Sequence, residues 1–240
     1  MREAKITNRG GREKNEDAIG RLVQDGIYCA VLADGLGGHG SGEVASRLAV
    51  DTILQCFKAQ SEVSQDIMYA YLEAAQNAII EEREASPEMR NMATTVAAIV
   101  TDGKNAVWAH CGDSRIYRFK RNKIQEVSED HSVAFASFKA GDITYDEIRK
   151  SPDQNKLTRT LSNGEKFNPD ISKVHKLSSN TVFLLCSDGL WEYVDEDFME
   201  KSLKNSTGPA DWLKQLVDKR QKEAPINIEA DNYSAIALFV

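Results

Sequence analysis

Asp34, Asp113, Asp188 and Asp231 share a setting that an isolated surface acid lacks. Each stands at the end of an apolar run, beside Gly, Ser or Asn and with no neighbouring Lys to balance it. The runs are 28–33, 106–110, 182–186 and, on the far side of its acid, 233–240. Burying an ionised carboxylate without a partner is so unfavourable that the group neutralises itself or finds a cation. One such acid can be an ordinary turn residue. Four of them, with the Glu16-Asp17 pair, make a concentration of negative charge that survives only around cations. Ligation by oxygen alone, without His or Cys, points to Mg²⁺ or Mn²⁺ rather than zinc. Two such ions sharing a carboxylate can acidify a bridging water and aim it at a phosphorus atom. Arg12, five residues before Asp17, offers the planar fork that grips a phosphate bidentately. The glycines after Asp34 let the backbone approach whatever that acid holds and present carbonyl oxygens as ligands.

These groups need elements to carry them. Residues 4–7 and 18–23 read as strands joined by a loop too charged for a simple hairpin turn, and 28–33 as a buried strand. Residues 42–57 repeat apolar pairs at four-residue steps, Val44/Ala45 through Cys56/Phe57, and a second helical stripe runs from Ser64 to about Glu84. The period then changes: 94–100, 106–110, 115–119 and 123–127 are short, β-branched and separated by turn signals such as Asp102-Gly103 and Arg121-Asn122, which predicts an antiparallel meander. Apolar density falls from about 130 to 168, predicting a surface flap with two or three short helices. A buried strand at 182–186, helices near 196–204 and 210–222, and a strand running to Val240 complete the chain. Paired helices between groups of hairpin-linked strands predict an α+β fold: two antiparallel sheets face to face with helices outside, a four-layer α-β-β-α sandwich.

The length of 240 residues, with no Pro/Gly/Ser linker, repeat or charge block, predicts one domain, 1–240. A net charge of −7 argues against a nucleic-acid partner. No run is long enough to cross a bilayer, and the first residues lack the apolar core of a signal peptide, so the expectation is a cytoplasmic protein with no membrane partner. The four cysteines, Cys29, Cys56, Cys111 and Cys186, form no C-x-x-C pair and read as reduced core residues. His110, His131 and His175 have no partner at ligand spacing, and Trp191 reads as core.

Seven segments stand in a telling order: Gly11-Arg-Glu-Lys-Asn-Glu-Asp17, Asp34-Gly-Leu-Gly-Gly-His-Gly40, Ala93-Thr-Thr95, Gly112-Asp-Ser-Arg115, Leu157-Thr-Arg-Thr-Leu161, Cys186-Ser-Asp-Gly-Leu-Trp191 and Asp231-Asn232. Together they resemble the successive motifs of the metal-dependent protein Ser/Thr phosphatases of type 2C, the PPM family, and the compact bacterial members above all. The resemblance implies a Mg²⁺- or Mn²⁺-dependent enzyme that hydrolyses phosphoserine and phosphothreonine in proteins with a metal-bridging hydroxide. It implies two ions per site, with a third, weaker one. Asp34 would bridge two ions, the Gly35 carbonyl would hold one, and Asp188 and Asp231 the other. Asp17 would hold metal-bound water with Glu16 beside it. Asp113 would mark the third ion, and Glu192 stands where family members often carry Asp. Arg12 would bind the substrate phosphate and Asn232 would orient Asp231. Phosphoproteins made by an opposing Ser/Thr kinase are the implied partners, and a monomer the implied state.

The chain also departs from the family pattern. Eukaryotic relatives place a His directly after the Asp-Gly pair; here Leu36 occupies that position and His39 follows three residues later. Contact with substrate, protonation of the leaving group and packing on the glycine turn all stay open for His39. Ala93 replaces a Gly, and Ser162-Asn-Gly replaces Leu-Gly. The rival reading is a pseudophosphatase, a phosphoprotein-binding module without turnover; loss of metal ligands marks that state, and every expected ligand is present.

Overall fold

The computed structural model describes residues 1–37, 40–161, 167–224 and 230–240. The chain opens with β1 (Arg2–Asn8), β2 (Asp17–Gln24) and β3 (Ile27–Leu36), followed by α1 (Ser41–Ala59) and α2 (Gln65–Ala85). Short strands come next: β4 (Ala93–Thr94), β5 (Val96–Thr101), β6 (Asn105–Cys111), β7 (Arg115–Lys120) and β8 (Lys123–Val127). Then α3 (Val133–Ala140), α4 (Tyr145–Ile148), β9 (Asp170–Ile171) and β10 (His175–Lys176) lead into β11 (Thr181–Cys186). The last elements are α5 (Asp188–Trp191), α6 (Glu196–Asn205), α7 (Pro209–Glu223) and β12 (Tyr233–Phe239). Among the described residues, no helix is long and apolar enough to cross a membrane.

Two antiparallel sheets result, one ordered β1-β12-β11-β7-β8 and the other β10-β6-β5-β3-β2, with β4 paired to β3 and β9 to β6. Side-chain alternation sorts the buried strands between layers. On β3, Cys29, Val31 and Ala33 pack with α1 and α2, whereas Tyr28, Ala30 and Leu32 face the other sheet. On β12, Ile236 and Leu238 enter the space between the sheets, while Ala235 and Ala237 lie under Trp212 and Leu216 of α7. Helices, sheet, sheet and helices therefore stack as the expected four layers.

Register brings distant residues to one end of the sandwich. Asp17 pairs with Asp34 across β2 and β3. Cys186 pairs with both Arg115 and Ala235, so Asp188 just past β11, Asp113 just before β7 and Asp231 just before β12 emerge together. Asn8 pairs with Tyr233, which sets the start of the Arg12 loop beside Asp231 across the whole length of the sequence. The hairpins hold this register with two-residue turns at Asp25-Gly26 (φ 52° and 79°) and Arg121-Asn122 (φ 51° and 62°), the left-handed pair that matches strand twist.

Some boundaries differ from expectation. The strand expected over 94–100 breaks at Thr95, whose amide and hydroxyl both bond the Asp34 backbone. The last strand runs from Tyr233 to Phe239, preceded by its acid as expected. β9, β10 and the single turn α5 are too short to leave a periodic signal.

The layer between the sheets fixes the end-to-end register, so truncating it should be costly. Ile236→Ala, at a residue 1 % exposed, is expected to lose about 2–5 kcal/mol in urea unfolding. Val23→Ala, at 52 % exposure, should stay within about 0.5 kcal/mol of the parent. Equal losses at the two positions would contradict the layer assignment.

Candidate metal centre and active site

Asp34, Gly35, Asp113, Asp188 and Asp231 line one pocket of about 580 Å³ together with Arg12, Lys14, Glu16 and Asn232. The cross-strand pairing puts Asp17 opposite Asp34, a like-charge pair that destabilises a sheet unless something offsets it. The sequence of each motif explains how its acid is held. The Thr94 hydroxyl and the Thr95 amide both donate to the Asp34 carbonyl oxygen, at 2.8 and 2.9 Å, and the Asp34 amide donates to Thr95 Oγ1 at 3.0 Å. Thr95 Oγ1 in turn meets Ser114 Oγ at 2.7 Å, linking the Asp34 strand to the Asp113 turn. Gly112 has a φ of 107°, and a Cβ there would run into Thr95. Gly189 is held by contact instead, since a Cβ would collide with the Asn232 carbonyl oxygen.

On the other side, Ser187 Oγ donates to Asp17 Oδ2 at 2.9 Å and accepts from the Ser234 amide at 2.9 Å. The buried Arg220 of α7 donates to the carbonyl oxygens of Gly189 and Asp231 at 3.0 and 2.9 Å, tying the two loops that carry Asp188 and Asp231. Asn232 orients Asp231 through its backbone amide, which donates to Asp231 Oδ1 at 2.8 Å. The Asn232 side chain does other work: it accepts from the Glu16 amide and donates to the carbonyl oxygens of Arg9 and Lys14, which fixes the loop bearing Arg12. Arg12 itself is exposed and pairs with Asp231 Oδ2 at 3.3 Å. An exposed pair of this length is weak and easily exchanged for an incoming anion.

The pocket lining carries six acids against only Arg12 and Lys14. Burial first, and then the other acids, pushes Asp34 and Asp113 well above the usual carboxylate range. Asp17 is pushed up to about 7, Asp188 to about 6 and Glu192 to about 8, in each case chiefly by burial. Asp188 lies beside the Asp34 carboxyl, so the two groups interact directly and cannot both carry full charge without a neutralising partner. Asp17 Oδ1 is buried with no hydrogen-bond partner. An orphaned carboxylate oxygen, mutually repelling acids and an all-oxygen donor set fit hard divalent ions.

Sequence reading missed several members of this region. Trp191 is more than core: its Nε1 donates to the Asp113 carbonyl oxygen at 3.0 Å, and the buried Arg115 guanidinium lies 3.6 Å from its ring centroid. Arg115 is held by a bidentate pair with the buried Asp130 at 2.8 and 2.6 Å. His110 and His131, expected to lack partners, stack at 4.6 Å, with Asp170 close enough that one donor atom from each lies within 4.8 Å of the others. His131 Nδ1 accepts from the Gly112 amide at 3.1 Å, so its proton sits on Nε2 and points at Asp170. That tautomer has no free lone pair for a metal and supports the Asp113 turn instead. His39 and Ser162-Asn-Gly164 lie outside the described residues.

Residues 8–227 match the family model for Protein phosphatase 2C. The chain belongs to the protein phosphatase 2C family. Among curated relatives it is similar to the serine/threonine phosphatase stp of Listeria monocytogenes serotype 4b, 32 % identical over 206 residues that span 83 % of this chain and 81 % of the relative. It is also similar to the protein phosphatase PhpP of Streptococcus pneumoniae serotype 2, 29 % identical over 210 residues, 86 % of this chain and 85 % of the relative. Among solved structures, the serine/threonine phosphatase PstP/Ppp of Mycobacterium tuberculosis matches at a TM-score of 0.87 and 26 % identity, covering 99 % of this chain and 98 % of that one. The catalytic domain of a PstP in complex with two manganese ions matches at a TM-score of 0.84 and 25 % identity, covering 98 % and 96 %. Membership in this 2C family, with a manganese-bound neighbour, agrees with divalent-metal use by the carboxylates above.

The raised pKa values carry a sign. Asp17 and Asp188 hold protons in the folded state above the ordinary 3.8, so their contribution to stability is present below about pH 4 and lost as pH rises through about 6 to 7. A bound divalent ion replaces those protons. Calorimetry in chelator and in Mn²⁺ should therefore show Tm values that separate steadily between about pH 5 and pH 8, the metal-loaded chain melting higher. Coincident Tm values at pH 8 would contradict the cation site.

Proposed function

We propose that this chain is a Mg²⁺- or Mn²⁺-dependent protein serine/threonine phosphatase that hydrolyses phosphoserine and phosphothreonine by direct attack of water, without a phosphoenzyme. The observation that carries the reading is the set of mutually repelling acids ending on an unpartnered Asp17 oxygen, with an exposed guanidinium at the pocket mouth. In this reading Asp34, Asp188, Asp231 and the Gly35 carbonyl would hold two ions, with Asp17 beside them, and Asp113 with Glu192 would hold a third, weaker one. Bound there, the ions supply an acidified water and a positive field for the phosphoryl oxygens.

The chain's own groups supply the rest. Arg12 leaves Asp231 for the substrate phosphate and fixes it by its two-pronged fork. The Thr94/Thr95 clamp holds the Asp34 backbone at the pocket, and Ser187 holds one Asp17 oxygen and leaves the other without a hydrogen-bond partner. His39 is read as a substrate-binding residue. A thiol route is disfavoured by physics: burial raises the pKa of Cys29, Cys111 and Cys186, the opposite of what a nucleophilic thiolate needs. The reading further takes residues 1–240 as a single, monomeric, cytoplasmic domain whose 130–168 segment acts as a flap. Its substrates would be phosphoproteins made by an opposing Ser/Thr kinase.

Steady-state assays on a phosphothreonine peptide and on p-nitrophenyl phosphate test the assignment. Asp34→Asn and Asp231→Asn should each lose at least about a hundredfold in kcat with Mn²⁺, and chelator should stop the parent. Arg12→Ala should chiefly raise KM. Parental kcat in Asp34→Asn, or turnover indifferent to chelator, would overturn the reading.

A further inference from the structure

Gln154 lies in the stretch between α4 and β9 and is 5 % exposed. A buried polar side chain on an otherwise solvated connection needs a reason. Its Nε2 has no well-aligned hydrogen-bond partner. The amide nevertheless lies beside two carboxylates one helical turn apart, Asp188 and Glu192. One residue further on, Asn155 and then Leu157 form part of the wall of the metal pocket. The same stretch is fastened to the end of α5 by Arg149, which donates to the carbonyl oxygens of Trp191 and Val194 and pairs with Glu196. The two anchors differ in kind. Arg149 grips backbone oxygens and an acid outside the pocket lining, whereas Gln154 lies beside Asp188, which lines the pocket itself.

The choice of an amide is informative. A Lys or Arg at this position would neutralise Asp188 and Glu192 permanently and compete with a divalent ion. A Glu would add to the repulsion. A primary amide offers two N–H donors, one for each carboxylate, and leaves their charge available.

We propose that Gln154 is a positioning residue that ties the α3–α4 segment to the Asp188–Glu192 edge of the metal centre, so that divalent-ion binding and docking of the Asn155–Leu157 wall are linked. The proposal rests on the reading of Asp188 as a metal ligand. Linkage is reciprocal: an ion that fixes Asp188 tightens the wall, and a docked wall tightens the ion. Through this amide the metal centre would shape the surface that meets the substrate peptide.

Hydrogen exchange on the full chain, in chelator and in saturating Mn²⁺, with calorimetric titration of Mn²⁺, tests the link. In the parent, Mn²⁺ should slow exchange across residues 145–157 by about tenfold, in line with the effect of groups that orient metal ligands. Gln154→Leu and Gln154→Met keep the volume and remove the amide. Both should lose that slowing, bind Mn²⁺ about tenfold more weakly and raise KM for a phosphopeptide more than they lower kcat, with exchange in β3 and β12 unchanged. Arg149→Ala should speed exchange of the segment equally with and without Mn²⁺, leaving the ratio intact. A parent that binds no Mn²⁺ would overturn the metal-centre reading itself. Mn²⁺ binding by the parent with undiminished Mn²⁺-dependent slowing in both Gln154 variants would overturn this inference alone.

Discussion

Negative charge confined in a low-dielectric pocket is the constraint on which this architecture depends. Asp17 and Asp113 are buried and Asp34 and Asp188 half-buried, and desolvation together with mutual repulsion drives all four toward the protonated form. A fold assembled for stability alone would not place Asp17 opposite Asp34 in a strand pair or leave one Asp17 oxygen without a partner. Such strain persists where the surroundings over-determine it, and it persists here because the strands carrying the acids are locked on both faces. Protonation relieves the repulsion only partly. Hard divalent ions relieve it fully while keeping the carboxylates charged.

Much of the remaining structure holds that charge in place by backbone rather than side-chain contacts. Thr94 and Thr95 grip the main chain of Asp34, Trp191 grips the carbonyl of Asp113, and Arg220 grips the carbonyls of Gly189 and Asp231. Each arrangement leaves the carboxylate oxygens themselves free for the pocket. The glycines follow from the same requirement. Gly35, Gly112 and Gly189 stand where a Cβ would strike Gly42, Thr95 or Asn232, so the loops can close up only without side chains.

The large elements were legible because their signals are long. The stripes of α1 and α2 repeat over several turns, and the runs ending on Asp34 and Asp188 are continuous apolar segments that only a core strand explains. The acids were legible for a related reason, since a charge at the end of such a run is conspicuous in one dimension. What escaped is what only three dimensions create. Nothing in the sequence pairs Arg115 with Asp130; the fold buries both and stacks the guanidinium on Trp191. His110 and His131, well separated in sequence, meet because β6 runs beside the turn after β8. Gln154 carries no periodic or motif signal at all; its meaning comes from the carboxylates it faces.

The central claim is that these carboxylates share hard divalent ions. Anomalous diffraction at the manganese edge from a crystal of the full chain grown with Mn²⁺ tests it most directly. The account predicts two strong peaks inside the pocket within bonding distance of Asp34, with Asp188 and Asp231 among the ligands and an ordered water beside Asp17. A featureless pocket at saturating Mn²⁺, or peaks confined to surface acids elsewhere, would contradict it.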